Sequence, residues 1–327
     1  MYFTHIYIEK DILKHSNTLN ILQKFPKAIQ VEIDSYKHIF NRPYQNFQAQ
    51  KKLPRLILAK KYENFLYSGS YLTDQFKLPN FYYNSLVLNC LYNCEYCYLQ
   101  GMYNSGHVVV FVNIKDFLEE AEKVWKEKGS LYLCISYDTD LLAFEKILGY
   151  CRTWIEFSRG KKNFLLEIRS KSSSFLEISD LEVSENVILA WSLSPLVVVK
   201  TYEKKTPTLK RRLENIKLAI EKGWKTRICL DPVLHISGWR EIYSQFIEEI
   251  FQDLQPQAIH DLSLGTFRIN ADYLKKIRKI RTDSKIIFYP YKKNGSAFEY
   301  PEQVKKEMIN FITNLLTKYI SKEKIYI

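Results

Sequence analysis

The sequence predicts an α/β fold: a partial (β/α)6 TIM-type barrel with a small N-terminal α/β domain. Two observations carry that expectation. From Ser85 onward, strand-like apolar runs alternate with amphipathic helical stretches, the order of a parallel sheet with crossover helices. A chain of 327 residues with 46% hydrophobic content also holds enough apolar material for one large barrel and a small appended domain.

Residues 1–80 read as the small domain. Ile6-Tyr7-Ile8 is an expected strand, Asp11 to Phe25 an expected helix closed by Pro26, and Gln30 to Ile33 a second strand. A polar stretch from Asn41 to Lys52 precedes a third strand-like run, Leu56 to Ala59. Residues 81–327 read as the barrel with a basic, helical C-terminal segment. Strands are expected near 86–89, 131–136, 164–169, 187–192, 226–231 and 262–267. Between them, Ile114 to Lys128, Leu141 to Phe157, Thr208 to Lys222 and Trp239 to Leu254 repeat apolar residues at helical spacing. In such a barrel the chemistry belongs at the C-terminal ends of the strands.

The chemistry-bearing stretch is Asn89 to Gln100, where Cys90, Cys94 and Cys97 stand at C-x3-C-x2-C spacing directly after an apolar run. Three thiolates on one short loop can ligate three irons of a [4Fe–4S] cluster and leave the fourth iron without a protein ligand. A structural zinc site needs four protein ligands, and no second Cys or His pair stands at such spacing. The open iron can chelate S-adenosylmethionine, so that one electron frees a 5'-deoxyadenosyl radical. This spacing resembles the signature of the radical S-adenosylmethionine enzymes.

A formal net charge of +12 makes attraction to a polyanion plausible, nucleic acid first, although a lysine-rich composition can also reflect a biased genome. Lysines and arginines from Lys275 to Lys293, with Tyr289 and Tyr291 among them and Phe298 just beyond, suit phosphate contacts and base stacking or simply a solvated helix face. No run of eighteen apolar residues occurs, and Met1-Tyr2-Phe3-Thr4-His5 lacks a signal-peptide pattern. The expectation is a cytoplasmic protein with no membrane partner, in a compartment where thiols stay reduced.

Glu95-Tyr96-Cys97-Tyr98-Leu99-Gln100 resembles the cluster loop of the spore photoproduct lyase family, radical enzymes that reverse a thymine dimer in spore DNA, and Tyr7-Ile8-Glu9-Lys10-Asp11 resembles their N-terminus. The resemblance implies a [4Fe–4S] cluster and S-adenosylmethionine as cofactors, UV-damaged DNA as substrate, and an electron donor such as flavodoxin or ferredoxin. It implies that Cys134, in Cys134-Ile135-Ser136 at a strand end, donates hydrogen to the product radical, with Tyr98 and Tyr96 returning the radical toward 5'-deoxyadenosine. A buried cysteine acting as a small hydrophobe is the competing view of Cys134, and it is the one that fits Cys151 and Cys229. Ser136, Lys171 and Ser192 match positions that hold S-adenosylmethionine, with Tyr96 on the cofactor side as well. Asp231 departs from the small apolar residue of the family, so it either bonds the cofactor's hydroxyls or adenine or marks a different substrate. His235 reads as a polar rim residue. Two other functions stand beside repair: a radical enzyme acting on RNA or a small molecule, and a non-enzymatic nucleic-acid-binding iron–sulfur module.

Overall fold

The computed structural model describes residues 3–69 and 79–327, so Met1 and Tyr2 of the N-terminal pentapeptide lie outside the described residues. The chain divides into two compact units: residues up to Leu91 with Leu99–Ile168, and Tyr92–Tyr98 with Arg169–Ile327. The boundary expected at residue 80 falls inside the first of these.

The first unit contains a five-stranded sheet in the order Ile29–Ile33, His5–Glu9, Leu56–Ala59, Val108–Phe111, Val87–Leu88. The first four strands run parallel and the last antiparallel. Leu56–Ala59 and Val108–Phe111 are buried at every position, the uninterrupted apolar pattern of strands covered on both faces. The expected N-terminal helix is shorter than its apolar spacing suggests. A 3-10 turn at Lys10–Ile12 comes first, and the helix Ser16–Gln23 begins where the His15 ring accepts a hydrogen bond from the Asn17 amide.

Val87–Leu88, expected as the first barrel strand, pairs instead with Val110 and Val109 at the edge of this sheet. The place beside Leu131–Cys134 is taken by Phe81–Tyr83, which pairs in parallel with Tyr132 to Cys134. A half-buried aromatic triplet fills that role better than a two-residue apolar run, and Phe81 packs edge to face on Tyr132. The strand Phe164–Ser170 follows on the other side of Leu131–Cys134, also parallel. The helix Ile114–Lys128 ends on Gly129, whose φ of +71° supplies the left-handed cap. The expected helix from Leu141 to Phe157 is broken. Gly149, at φ +67°, ends Glu145–Leu148, and the Glu145 carboxylate accepts from the Cys151 and Arg152 amides to start Tyr150–Ser158.

The second unit carries the parallel strands Val187–Ser192, Lys225–Val233, Asp261–Thr266 and Ile325–Tyr326, paired in that order. Helices Leu209–Glu221 and Trp239–Asp253 stand close to their expected bounds. The pairing register slips between Leu230 and Val233, a bulge that re-aims the side chains at the end of Lys225–Val233. Beyond it, Arg268–Asn270, Lys292–Asn294 and Ala297–Glu299 form a small antiparallel sheet with Lys292 and Lys293 exposed. Tyr291, expected among possible stacking residues, is buried against Phe267, Tyr289 and Tyr300. His235 joins the same group of rings through Tyr289 and Tyr300, and burial lowers its pKa, which fits a packed rim histidine. Among the described residues no helix is long and apolar enough to cross a membrane.

Candidate active site

The cysteine loop is held by its backbone. Asn93 and Cys94 pair antiparallel with Lys204 and Glu203, and the Glu95 amide donates to the Tyr202 carbonyl at 2.8 Å. Cys97 closes a turn by donating its amide to the Cys94 carbonyl at 3.2 Å. Arg281, expected among candidate phosphate contacts, donates instead to the Asn93 side chain at 2.6 Å and to its carbonyl at 3.2 Å. In the first unit, the Cys90 amide donates to the Asn89 side chain and the buried Lys51 ammonium donates to the Cys90 carbonyl.

Cys94 is buried, Cys90 and Cys97 are half-buried, and none of the three is in a disulfide. Among the described residues, no three His, Cys, Asp or Glu side chains are grouped closely enough to hold a metal ion. The donor chemistry nevertheless suits an anionic iron–sulfur cluster. Three unoxidised thiols stand on pinned backbone, and the guanidinium of Arg281 lies within electrostatic reach of Cys94 and Cys97.

Beneath the loop lies a buried ionic network that the sequence did not announce. Glu203 has no exposed side chain, and its carboxylate faces Lys171 at 2.6 Å and Arg212 at 2.5 Å. Ser194 donates to it at 3.0 Å and the Tyr96 phenol donates as well. Lys171 also donates to the Tyr96 oxygen at 2.5 Å. Burial alone would raise the Glu203 pKa, but the two cations and their hydrogen bonds outweigh it and bring the value down to about 2. Burial first, then the charges of Glu203 and Cys94, pushes the Tyr96 phenol well above its ordinary range. Arg212 completes the network by donating to the Ser192 and Pro207 carbonyls and the Thr206 hydroxyl. Lys171, expected to meet the cofactor's carboxylate, is therefore already engaged. Glu203 escaped sequence reasoning because Tyr202-Glu203-Lys204-Lys205 reads as a solvated charged run. Its pairing across the strand from Cys94 is visible only in the fold.

Cys134 ends the strand Leu131–Cys134 and is 5% exposed. Its carbonyl accepts from the Asn84 amide, and its neighbours in register are Tyr83 and Glu167. Ser136 is buried two residues on, beside Tyr137, whose ring stacks on Tyr83 with centroids 4.1 Å apart. Ser85 donates to the buried Asp138 carboxylate and so ties the next turn down. Cys151 and Cys229 are fully buried. In the second unit, Ser192 ends its strand almost wholly buried. Asp231 does not stand open toward a hydroxyl ligand: Arg268 donates to its two oxygens at 3.2 and 3.4 Å, and Arg169 lies 3.9 Å away. Tyr98 is half-buried beside Leu99–Met102.

The chain as a whole is similar to known proteins. Residues 2–325 match the family model described as spore photoproduct lyase. The spore photoproduct lyase of Bacillus subtilis is 22% identical over 264 residues, covering 79% of this chain and 75% of its own. That of Clostridium acetobutylicum is 22% identical over 250 residues, covering 73% and 74%. Among solved structures, a cysteine-to-alanine variant of spore photoproduct lyase superposes with a TM-score of 0.84 at 17% identity, over 99% of this chain and 98% of that one. Another such variant, with one further substitution and with AdoMet and dinucleoside spore photoproduct bound, gives the same score at 16% identity.

The fold is thus the α/β partial barrel, and the family model matched over residues 2–325 is one of the radical S-adenosylmethionine enzymes, the class whose three-cysteine spacing this loop carries. Within that class, the chain belongs to the spore photoproduct lyase family.

Proposed function

We propose that the protein repairs the spore photoproduct, 5-thyminyl-5,6-dihydrothymine, in UV-damaged DNA, returning it to two thymines. The observation that carries this reading is the family match from residue 2 to residue 325, which takes in the cysteine loop, the Cys134 strand end and every candidate cofactor residue. A [4Fe–4S] cluster on Cys90, Cys94 and Cys97, reduced by a flavodoxin or ferredoxin and carrying S-adenosylmethionine, would supply a deoxyadenosyl radical. Buried Ser136 and Ser192, at their strand ends, are suited to bond the cofactor's hydroxyl or amino groups.

Once hydrogen has passed from carbon 6 of the dihydrothymine half to the deoxyadenosyl radical and the linking bond has broken, the Cys134 thiol would give its hydrogen atom to the thymine radical. Tyr98 and then Tyr96 would restore the thiol, and Tyr96 would recover its own hydrogen from the 5'-deoxyadenosine methyl group. The lesion leaves the duplex stack to reach these groups, at a cost of a few kcal/mol that damage lowers. Such work fits a reducing cytoplasm.

The test is anaerobic reconstitution followed by assay on the dinucleotide photoproduct in heavy water. Wild-type protein should yield two thymines, with deuterium in the repaired methyl group from the exchangeable Cys134 thiol. Cys134→Ala should still cleave S-adenosylmethionine and still attack the lesion, but give adducts in place of clean thymine. Cofactor cleavage without any lesion turnover would instead favour a radical enzyme acting on RNA or a small molecule, a reading that the charged Asp231 supports.

A further inference from the structure

Two arginines at the strand ends of the second unit have no task in the repair reaction as described. Arg169 stands near the end of Phe164–Ser170, and Arg268 opens the short strand Arg268–Asn270. Both approach one carboxylate, Asp231, which sits in the bulged end of Lys225–Val233. The approach requires glycine at 265: a Cβ there would lie 2.8 Å from Arg268 Nη1 and 2.8 Å from Asp231 Oδ1. Glu299, opposite Arg268 in register, also lies within reach of its charge but has Lys305 at 2.9 Å as its own cation, so the group formed by Arg169, Arg268, Lys305, Asp231 and Glu299 keeps a net positive charge. The Arg169 and Arg268 side chains remain 26% and 31% exposed, whereas Lys171, two residues beyond Arg169, is 16% exposed and already bonded to Glu203 and Tyr96.

We propose that Arg169 and Arg268, gathered by Asp231, form a subsite for a singly charged oxyanion. Planar guanidinium forks match a carboxylate or a phosphodiester, and Asp231 is a positioning residue that fixes their orientation. Resting on the repair reading, the anion is either the phosphodiester joining the two damaged thymidines or the carboxylate of S-adenosylmethionine.

Equilibrium binding to the reconstituted full chain separates the two sources. The probes are S-adenosylmethionine, the photoproduct dinucleotide, and the same photoproduct as a dinucleoside without phosphate. Arg268→Gln should weaken one anionic probe by about tenfold or more, the loss of a charge-assisted hydrogen bond, and leave the dinucleoside unchanged. Loss confined to S-adenosylmethionine assigns the carboxylate, and loss confined to the dinucleotide assigns the phosphodiester. Arg268→Lys should recover part of the affinity, and Gly265→Ala, which displaces the fork without removing charge, should resemble Arg268→Gln. Asp231→Asn, which loosens the fork but frees positive charge, should weaken the same probe by clearly less than Arg268→Gln does. The proposal is overturned if Arg268→Gln and Arg169→Gln bind both anionic probes as wild type does, or if Asp231→Asn weakens binding as much as Arg268→Gln. Should the wild type bind S-adenosylmethionine and not the photoproduct, the repair reading falls, and the S-adenosylmethionine arm alone decides the subsite.

Discussion

Glu203 and Asp231 each face two cations within the same unit, yet they are different devices. Glu203 is sealed from water with both cations within 2.6 Å and two hydroxyl donors besides. Asp231 is 15% exposed, its closest cation is 3.2 Å away, and its partners are partly exposed. Removing one partner from a sealed cluster leaves a charge with no water to turn to, whereas a part-exposed pair is screened and its members can turn to a ligand. The first arrangement suits a pin under the cysteine loop. The second suits a contact that forms and breaks with substrate or cofactor.

The largest effect that would sharpen this contrast is expected for Glu203→Ala. Stranding Lys171 and Arg212 in the interior should cost about 3–5 kcal/mol in chemical denaturation and lower the iron content after reconstitution. A loss under about 1 kcal/mol would erase the distinction between the two clusters. The pH dependence has a definite sign. Because the folded Glu203 pKa is depressed from 4.5 to about 2, its contribution is full above the unfolded value and is lost as pH falls from 4.5 toward 2. Acid titration of wild type against Glu203→Gln should show the wild type losing stability across that window and the variant losing less.

The cysteine loop supplies the next test. Replacing Cys94 by Ala removes one ligand while its backbone stays paired with Glu203, so the fold should persist and cofactor cleavage should vanish. Iron analysis beside circular dichroism checks both halves. Normal iron content together with normal cleavage would remove the cluster from this loop.

How far these features were legible follows from their range along the chain. The helices Ile114–Lys128, Leu209–Glu221 and Trp239–Asp253 were visible because their periodicity is local. The break at Gly149 was hidden because Glu145, six residues before Cys151, supplies the cap from within the expected helix. The exchange of Val87–Leu88 for Phe81–Tyr83 was hidden because both are short apolar runs and only their partners differ. Among site residues, the cysteines and Cys134 stood out through sequence spacing and resemblance. Glu203, Arg212 and Arg268 did not, since a charged residue in a lysine-rich chain looks solvated until the fold closes around it. Asp231 was noticed as a departure, but its meaning depended on two arginines 62 and 37 residues away in sequence.

Asp231→Asn should affect stability much less than Glu203→Ala, by roughly 0.2–1 kcal/mol, and that small loss should shrink further in high salt. Denaturation at low and high ionic strength measures it. A loss that is large and insensitive to salt would make Asp231 a second sealed pin.

A small stability effect is also expected at Tyr96, and there stability and chemistry should separate. Its phenol donates to Glu203 and accepts from Lys171, but both of those groups keep each other, and Glu203 also keeps Arg212 and Ser194. Tyr96→Phe therefore removes one hydroxyl from a network that remains charge-balanced, for about 1 kcal/mol or less. Its proposed part in restoring the Cys134 thiol is lost outright, because phenylalanine has no hydroxyl hydrogen to give. The variant should melt close to wild type and take up iron normally, while consuming more S-adenosylmethionine for each lesion repaired. If consumption per lesion is unchanged, Tyr96 serves only to hold Glu203 and Lys171. In that case the network beneath the cysteine loop is a structural pin with no share in the radical's return.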